Sequence, residues 1–266
     1  AAPKLKVLSQ VAAGLDNIDL EEATKREILV GYTPGVLAKS TADLAFALLL
    51  AVARRVVESD KWVRDGNWKI SHHPMFWLGS EVNGSTLGVV GLGGIGIETA
   101  KRALGFDMKV LYHSRTRKRD IEKVFGFKYA SFKRVLAESD FISLHVPLTP
   151  ETHGFIGEKQ LRSMKKSAIL INLSRGPVVD TEALYNSLTK GWIAGAGLDV
   201  FDPEPVPPNH PILGLDNVVV LPHIGSASSG SRREMHLLAA RNPISGLKGE
   251  RLEECANPEL YETLGI

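Results

Sequence analysis

Apolar and polar positions follow no single period through roughly the first third of the chain. Lys6-Val7-Leu8 predicts a short strand, and residues 10–16 a loop. In Ser40-Thr41-Ala42-Asp43 a hydroxyl precedes a carboxylate by three residues. This capping-box signal predicts a helix start. The helix is expected to run through the apolar stretch 44–53, into Arg54 and the region Glu58-Ser59-Asp60, until Asp65-Gly66-Asn67 breaks it. Residues 68–84 are aromatic, contain His and Pro, and read as irregular. From Thr86 the pattern changes. Strand-like runs at 87–90, 109–112, 141–146, 168–173, 196–200 and 218–221 alternate with helical runs at 95–104, 132–137, 161–164 and 181–190. Such alternation predicts an α/β fold, a parallel sheet covered on both faces.

The turn after the first of these strands reads Gly91-Leu92-Gly93-Gly94-Ile95-Gly96. A G-x-G-x-x-G match alone is weak, but this one follows a strand and opens a helix, as the motif requires. Gly91 permits the tight turn, Gly93 lets backbone approach a pyrophosphate, and Gly96 lets helix and strand pack closely. The helix end offers unpaired N–H groups and partial positive charge. A nicotinamide dinucleotide is expected here. A ligand-free turn is the plain alternative. NAD sites of this type carry an acid near the end of the second strand, bonded to the ribose 2′-hydroxyl. The segment after that strand is His113-Ser114-Arg115-Thr116-Arg117-Lys118-Arg119, with no acid before Asp120. A hydroxyl and several cations suit a 2′-phosphate, which arginine can grip bidentately. NADP(H) is therefore expected over NAD(H), with Ser114, Arg115, Thr116, Arg117 and Lys118 around the phosphate. A solvated basic loop is the alternative.

Composition narrows the partners. The 266 residues allow one large domain or two modest ones, and 44% hydrophobic with 23% charged residues is ordinary for a globular chain. A net charge of +2 supplies no strong field toward nucleic acid or anionic membrane. The longest apolar run, 44–53, falls short of the ~20 residues a bilayer span needs. Ala1-Ala2-Pro3-Lys4 is followed by no apolar core of signal-peptide length. A lone cysteine, Cys255, cannot form an internal disulfide and fits a reducing compartment. A cytoplasmic location is expected.

Three later segments end or follow predicted strands: Asn172-Leu173-Ser174-Arg175-Gly176, residues 197–205 from Gly197 to Pro205, and Pro222-His223-Ile224-Gly225-Ser226-Ala227. Residues beyond the carboxyl ends of parallel strands face one crevice, so an arginine, a glutamate and a histidine converge beside the cofactor. Taken singly, each has a structural alternative. As a set, with Gly91 to Gly96 and His145-Val146-Pro147-Leu148-Thr149, they resemble the D-isomer-specific 2-hydroxyacid dehydrogenases, and most of all the glyoxylate/hydroxypyruvate reductases. The resemblance runs over nearly the whole chain. It implies a doubly wound, Rossmann-like dinucleotide domain at 39–226, with the dimerisation helix and arm. It implies a smaller, incomplete flavodoxin-like substrate domain from 1–38 and 227–266, and a homodimer. By resemblance Arg175, Glu204 and His223 are catalytic, Ala13 and Gly14 hold the substrate carboxylate with Arg175, and Asp199 lies beside the nicotinamide amide. Leu92, Pro147, Leu173, His223 and Gly225 then line the cofactor. The implied reaction is reduction of a small 2-keto acid to the D-2-hydroxy acid. In it Arg175 polarises the keto oxygen and His223 acts as general acid, oriented and kept protonated by Glu204.

The sequence departs from relatives in three places. Gly94 stands where many carry an arginine or other polar side chain that reaches the pyrophosphate. His72-His73-Pro74 stands where several have a tryptophan near the proline, so His72 is expected either in a partner's substrate pocket or at plain surface. No third ligand at useful spacing makes His72 and His73 a metal site. The stretch of a few dozen residues that relatives usually have before Lys4 is missing, and the chain starts with Ala. A fragment and a naturally short protein are both open. A short form would expose apolar surface and lose part of the substrate pocket. The competing readings are a dehydrogenase for another D-2-hydroxyacid such as lactate or phosphoglycerate, a dinucleotide-sensing corepressor-like binding protein, and an inactive truncated form.

Overall fold

In the computed structural model, which describes residues 2–72 and 74–266, the chain divides into two units, Ala1–Ser40 with Ser226–Ile266, and Thr41–Gly225. In chain order the first part holds β1 (Val7–Ser9), α1 (Leu20–Lys25) and β2 (Leu29–Gly31). α2 (Ala38–Ala53) begins ahead of Ser40, so Ser40 and Asp43 lie within the helix and do not cap it. Asp43 instead takes a 2.7 Å hydrogen bond from Arg102 Nε. The expected single helix is also broken. Arg55 is left-handed, φ 53°, and a separate α3 (Val56–Arg64) follows. Arg55 bonds Glu58 with Nε and Nη2 at 2.9 and 2.7 Å and its guanidinium sits 4.5 Å from the Trp77 ring. No Gly or Pro marks that break, so the pattern reads straight through it.

The second unit continues with β3 (Thr86–Val90), α4 (Gly94–Ala103), β4 (Lys109–His113), α5 (Arg119–Phe125), β5 (Lys128–Tyr129) and α6 (Phe132–Glu138). Then come β6 (Phe141–Leu144), α7 (Glu158–Arg162), β7 (Ile169–Asn172), α8 (Thr181–Thr189), β8 (Gly195–Leu198) and β9 (Val218–Val220). The described residues form a seven-stranded sheet in the order β5-β4-β3-β6-β7-β8-β9, with every paired ladder parallel. The chain winds outward from β3 to β5, then crosses back to β6 and winds the other way. This is the expected doubly wound α/β architecture, and its switch point lies between β3 and β6.

Burial on both faces explains why these strands read as continuous apolar runs. Leu87 and Val89 of β3, Val110 and Tyr112 of β4, and Ile169 and Ile171 of β7 face one cluster, with Phe46, Leu48 and Leu49 of α2 and Ala100 of α4. Val90, Leu111, Ile142, Leu144 and Leu170 face the other, with Val135 of α6, Leu161 of α7 and Leu184 of α8. Side chains alternate across a strand, so each strand must be apolar on both faces. Each fully buried aliphatic side chain stabilises by about 1.5–3 kcal/mol.

In the first unit β1 and β2 pair in parallel, Val7 opposite Leu29. Its later helices, α9 (Ser229–Leu247) and α10 (Leu260–Leu264), were not read from the sequence. The α9 glycine Gly246 leaves room for Val7, whose Cγ2 would stand 2.6 Å from an added Cβ. Buried Asn257 ties the unit together, accepting from the Val30 N–H at 2.9 Å and donating to the Ile28 carbonyl at 2.9 Å. Among the described residues no helix is long and apolar enough to cross a membrane.

Candidate active site

The glycine turn sits at the switch point. Gly91 has φ +95°, and an added Cβ would meet the His145 carbonyl oxygen at 2.5 Å. The turn therefore closes directly against the end of β6. The Gly91 N–H bonds the His113 carbonyl at 2.8 Å, tying it to β4. A Cβ on Gly96 would overlap the Gly91 carbonyl, so the first turn of α4 lies flush on the loop. Gly93, the N-cap of α4, has nothing within 4 Å of its Cβ position. A crowded floor, an open Gly93 and a helix end with unpaired N–H groups make a cradle that fits a pyrophosphate. Gly94 is exposed and Ile95 half-buried at the mouth of α4. Leu92 is 1% exposed and Leu173 is 6%, both in the sheet-face cluster, so they offer the crevice backbone and not side chain. Pro147 is exposed at the rim beyond β6, where the expected strand ends two residues early.

The segment after β4 forms a short exposed loop. Ser114 Oγ donates to the Thr116 carbonyl at 2.6 Å. The Arg117 guanidinium is paired bidentately with Glu122, at 2.8 and 2.7 Å. Arg115, Thr116 and Lys118 are exposed. Among the described residues Arg115 makes no hydrogen bond or ion pair, and its charge helps hold the Glu151 carboxyl below the usual range after hydrogen bonds at Thr149 and its own backbone.

The three polar residues come from the ends of neighbouring strands. Asn172 closes β7 and fixes Arg175. Its Nδ2 donates to the Arg175 carbonyl at 2.9 Å, and its Oδ1 accepts from Ser174 N and Oγ at 3.0 and 2.8 Å. Arg175 Nη1 in turn donates to the Ser174 carbonyl at 2.8 Å. Gly176 packs on the loop after β8 so tightly that a Cβ would overlap the Phe201 carbonyl. That loop carries Glu204, whose Oε1 lies 2.5 Å from His223 Nδ1. Their side chains are 35% and 47% exposed, so the pair is open to proton exchange with water. With Phe201, Val206, Val220 and Leu221 they line a hollow of about 340 Å³.

His223 itself is left-handed, φ 54°, a conformation non-glycine residues seldom adopt. Asp199 holds it there. The His223 N–H bonds the Asp199 carbonyl at 2.9 Å. Asp199 Oδ1 and Oδ2 accept from the N–H groups of Ile224 at 2.8 Å and Gly225 at 2.7 Å. Burial raises the Asp199 carboxyl above the usual carboxylate range, against the opposing pull of those two donors. Asp199 was expected beside the nicotinamide; in the structure each of its oxygens takes one N–H from the turn that carries His223.

Ala13 and Gly14 belong to the first unit, in the loop after β1, half-buried, with Gln10 Nε2 donating to the Gly14 carbonyl at 2.6 Å. His72 is exposed and lines a hollow of about 250 Å³ with Trp62, Trp68 and Phe76. His73 lies outside the described residues, and among those described no group of three His, Cys, Asp or Glu side chains is placed to hold a metal ion. Two polar residues quoted within those motifs were given no role of their own in the sequence. Asn172 ends an apolar strand, a signal that could have been used. His145 lies beside Gly91 with Nε2 2.8 Å from Ser143 Oγ, and burial pulls its imidazole down to about 4.

The family model described as D-isomer specific 2-hydroxyacid dehydrogenase, NAD binding domain, matches residues 46–225. The chain is similar to a glyoxylate reductase of Thermococcus litoralis, 60% identical over 252 residues, 94% of this chain and 76% of the relative. It is also similar to a glyoxylate reductase of Korarchaeum cryptofilum, 56% identical over 262 residues, 98% of this chain and 79% of the relative. Among solved structures it is similar to an NADPH-dependent glyoxylate/hydroxypyruvate reductase from Sinorhizobium meliloti, in complex with NADP and malonate. The TM-score is 0.87 and the identity 33%, over 96% of this chain and 78% of that one. Doubly wound sheet, glycine cradle and these likenesses agree: the chain belongs to the D-isomer-specific 2-hydroxyacid dehydrogenases, enzymes that work with a nicotinamide dinucleotide.

Proposed function

We propose that the protein reduces small 2-keto acids, glyoxylate and hydroxypyruvate foremost, to the D-2-hydroxy acids, using NADPH in the cytoplasm. The observation that carries this reading is the Glu204–His223 pair on its clamped left-handed turn. The reduced nicotinamide, when bound, supplies the hydride that the keto carbon accepts. The chain's own residues do the rest. Glu204 accepts the proton of His223 Nδ1, which leaves Nε2 as the acid that protonates the oxygen of the former ketone. Glu204 also fixes the ring orientation of His223 through that bond. Arg175 pairs with the substrate carboxylate and stabilises negative charge as it grows on the keto oxygen. Reduction consumes a proton, which His223 delivers to the keto oxygen.

The cofactor preference rests on the basic loop after β4 and on Arg115, whose guanidinium makes no hydrogen bond or ion pair there among the described residues. The Sinorhizobium relative's NADP complex supports it. NAD(H) is the second choice. The expected result is a higher kcat/KM for NADPH than for NADH, reversed by Arg115→Asp. A wild type that clearly favours NADH removes the NADPH assignment. The chain also presents Val56, Val57, Trp68, Ile70, Met75 and Leu78 at 50–71% exposure along α3 and the arm after it. An apolar patch of this kind marks an interface, and the partner proposed for it is a second copy.

A further inference from the structure

The loop after β4 is closed at its far end by a set of bonds that the cofactor reading does not use. Tyr112 is fully buried in β4. Its hydroxyl accepts from the backbone N–H of Lys118 at 2.8 Å and donates to Glu122 Oε1 at 2.6 Å. Glu122, on α5, then receives Nε and Nη2 of Arg117 at 2.8 and 2.7 Å. The Arg117 guanidinium stands 5.7 Å from the centre of the Tyr129 ring, itself edge-on to Tyr112 at 5.4 Å. We propose that Tyr112, Glu122 and Arg117 form a clasp that fixes the backbone of 114–118, so that Arg115 is the phosphate-binding arginine and Arg117 a positioning residue. This inference rests on the 2′-phosphate reading of the loop.

Two arguments carry it. A bidentate arginine–carboxylate pair occupies the fork that would otherwise grip a phosphate, so Arg117 would have to abandon Glu122 to bind one. A loop held at both ends loses less freedom when a ligand orders it, which strengthens binding without any added contact. The charges support the clasp. Arg117 and the Tyr112 hydroxyl pull the Glu122 carboxyl down to about 2, while burial, and then Glu122, push the Tyr112 hydroxyl up to about 12. The pair is thus charged, and Tyr112 remains a donor, across the physiological range.

The test uses two probes that differ by one phosphate, adenosine 2′,5′-bisphosphate and adenosine 5′-monophosphate. Calorimetry gives their affinities, and amide hydrogen exchange follows residues 113–118. Tyr112→Phe and Arg117→Ala should each weaken the bisphosphate about tenfold, leave the monophosphate within about twofold, and speed exchange in the loop. Arg115→Ala should weaken the bisphosphate with exchange unchanged. A wild type that binds both probes alike removes the 2′-phosphate reading, and the inference falls with it. A wild type that discriminates, with a Tyr112→Phe that keeps both affinity and slow exchange, overturns the clasp alone. So does an Arg117→Ala that weakens the bisphosphate without loosening the loop, because Arg117 would then be a direct ligand.

Discussion

Half-buried His145 and buried Asp199 show how enclosed polar residues shape this crevice. Each Asp199 oxygen accepts one backbone N–H from the turn behind His223, so a strained conformation is stabilised by bonds reaching 25 and 26 positions along the chain. His145 has the opposite character. Its folded pKa is about 4 against an ordinary 6.5. Between those values the unfolded chain binds a proton that the folded one refuses. The His145 contribution to stability is therefore complete above about pH 6.5, and it falls as pH drops toward about 4, by at most about 1.4 kcal/mol per pH unit. Thermal unfolding between pH 4 and 7 should show a shallower acid slope in His145→Asn than in the wild type. Equal slopes would mean that His145 titrates alike in the folded and unfolded chain and would overturn this account.

At the scale of elements, two glycines that look alike in sequence do opposite things. A Cβ at Gly176 overlaps the Phe201 carbonyl, between the loops that carry Arg175 and Glu204. Gly176→Ala should cost roughly 1–3 kcal/mol in urea unfolding and lower kcat as well. A Cβ at Gly93 meets nothing. Gly93→Ala should leave stability within about 0.5 kcal/mol and weaken dinucleotide binding, because the added methyl fills the cradle. Unchanged stability in Gly176→Ala would contradict the packing described. The strands and the glycine turn were legible in the sequence because two-sided burial writes itself as apolar runs broken by glycine. α9 was not. Its buried face is Met235, Leu238, Ala239 and Asn242, where a buried asparagine and an internal Pro243 spoil the helical pattern. The break at Arg55 carries no Gly or Pro. Of the site, Arg175, Glu204 and His223 could be read from their places after strands. The Asp199 bonds could not, since a hydrogen bond between distant segments leaves no local period. The Tyr112–Glu122 clasp was hidden because neither strand nor helix period shows which side chains meet across a loop, and Arg117 looked as available as Arg115.

At the scale of the whole molecule, the two units each have a core, and the larger contains the cradle and the Glu204–His223 pair. The exposed apolar arm after α2 predicts a homodimer, and light scattering coupled to size exclusion should return twice the chain's 28.9 kDa. A monomer at every concentration would leave that patch without its partner. The central claim is that this chain is a 2-keto acid reductase whose proton comes from His223. The most direct test is steady-state reduction of glyoxylate by NADPH in the wild type and His223→Ala, with nucleotide affinity measured on both. The account predicts turnover by the wild type, and a kcat at least about a hundredfold lower in the variant with nucleotide affinity within about twofold. Near-wild-type turnover in His223→Ala, or a wild type that binds NADPH and reduces no 2-keto acid, would contradict it.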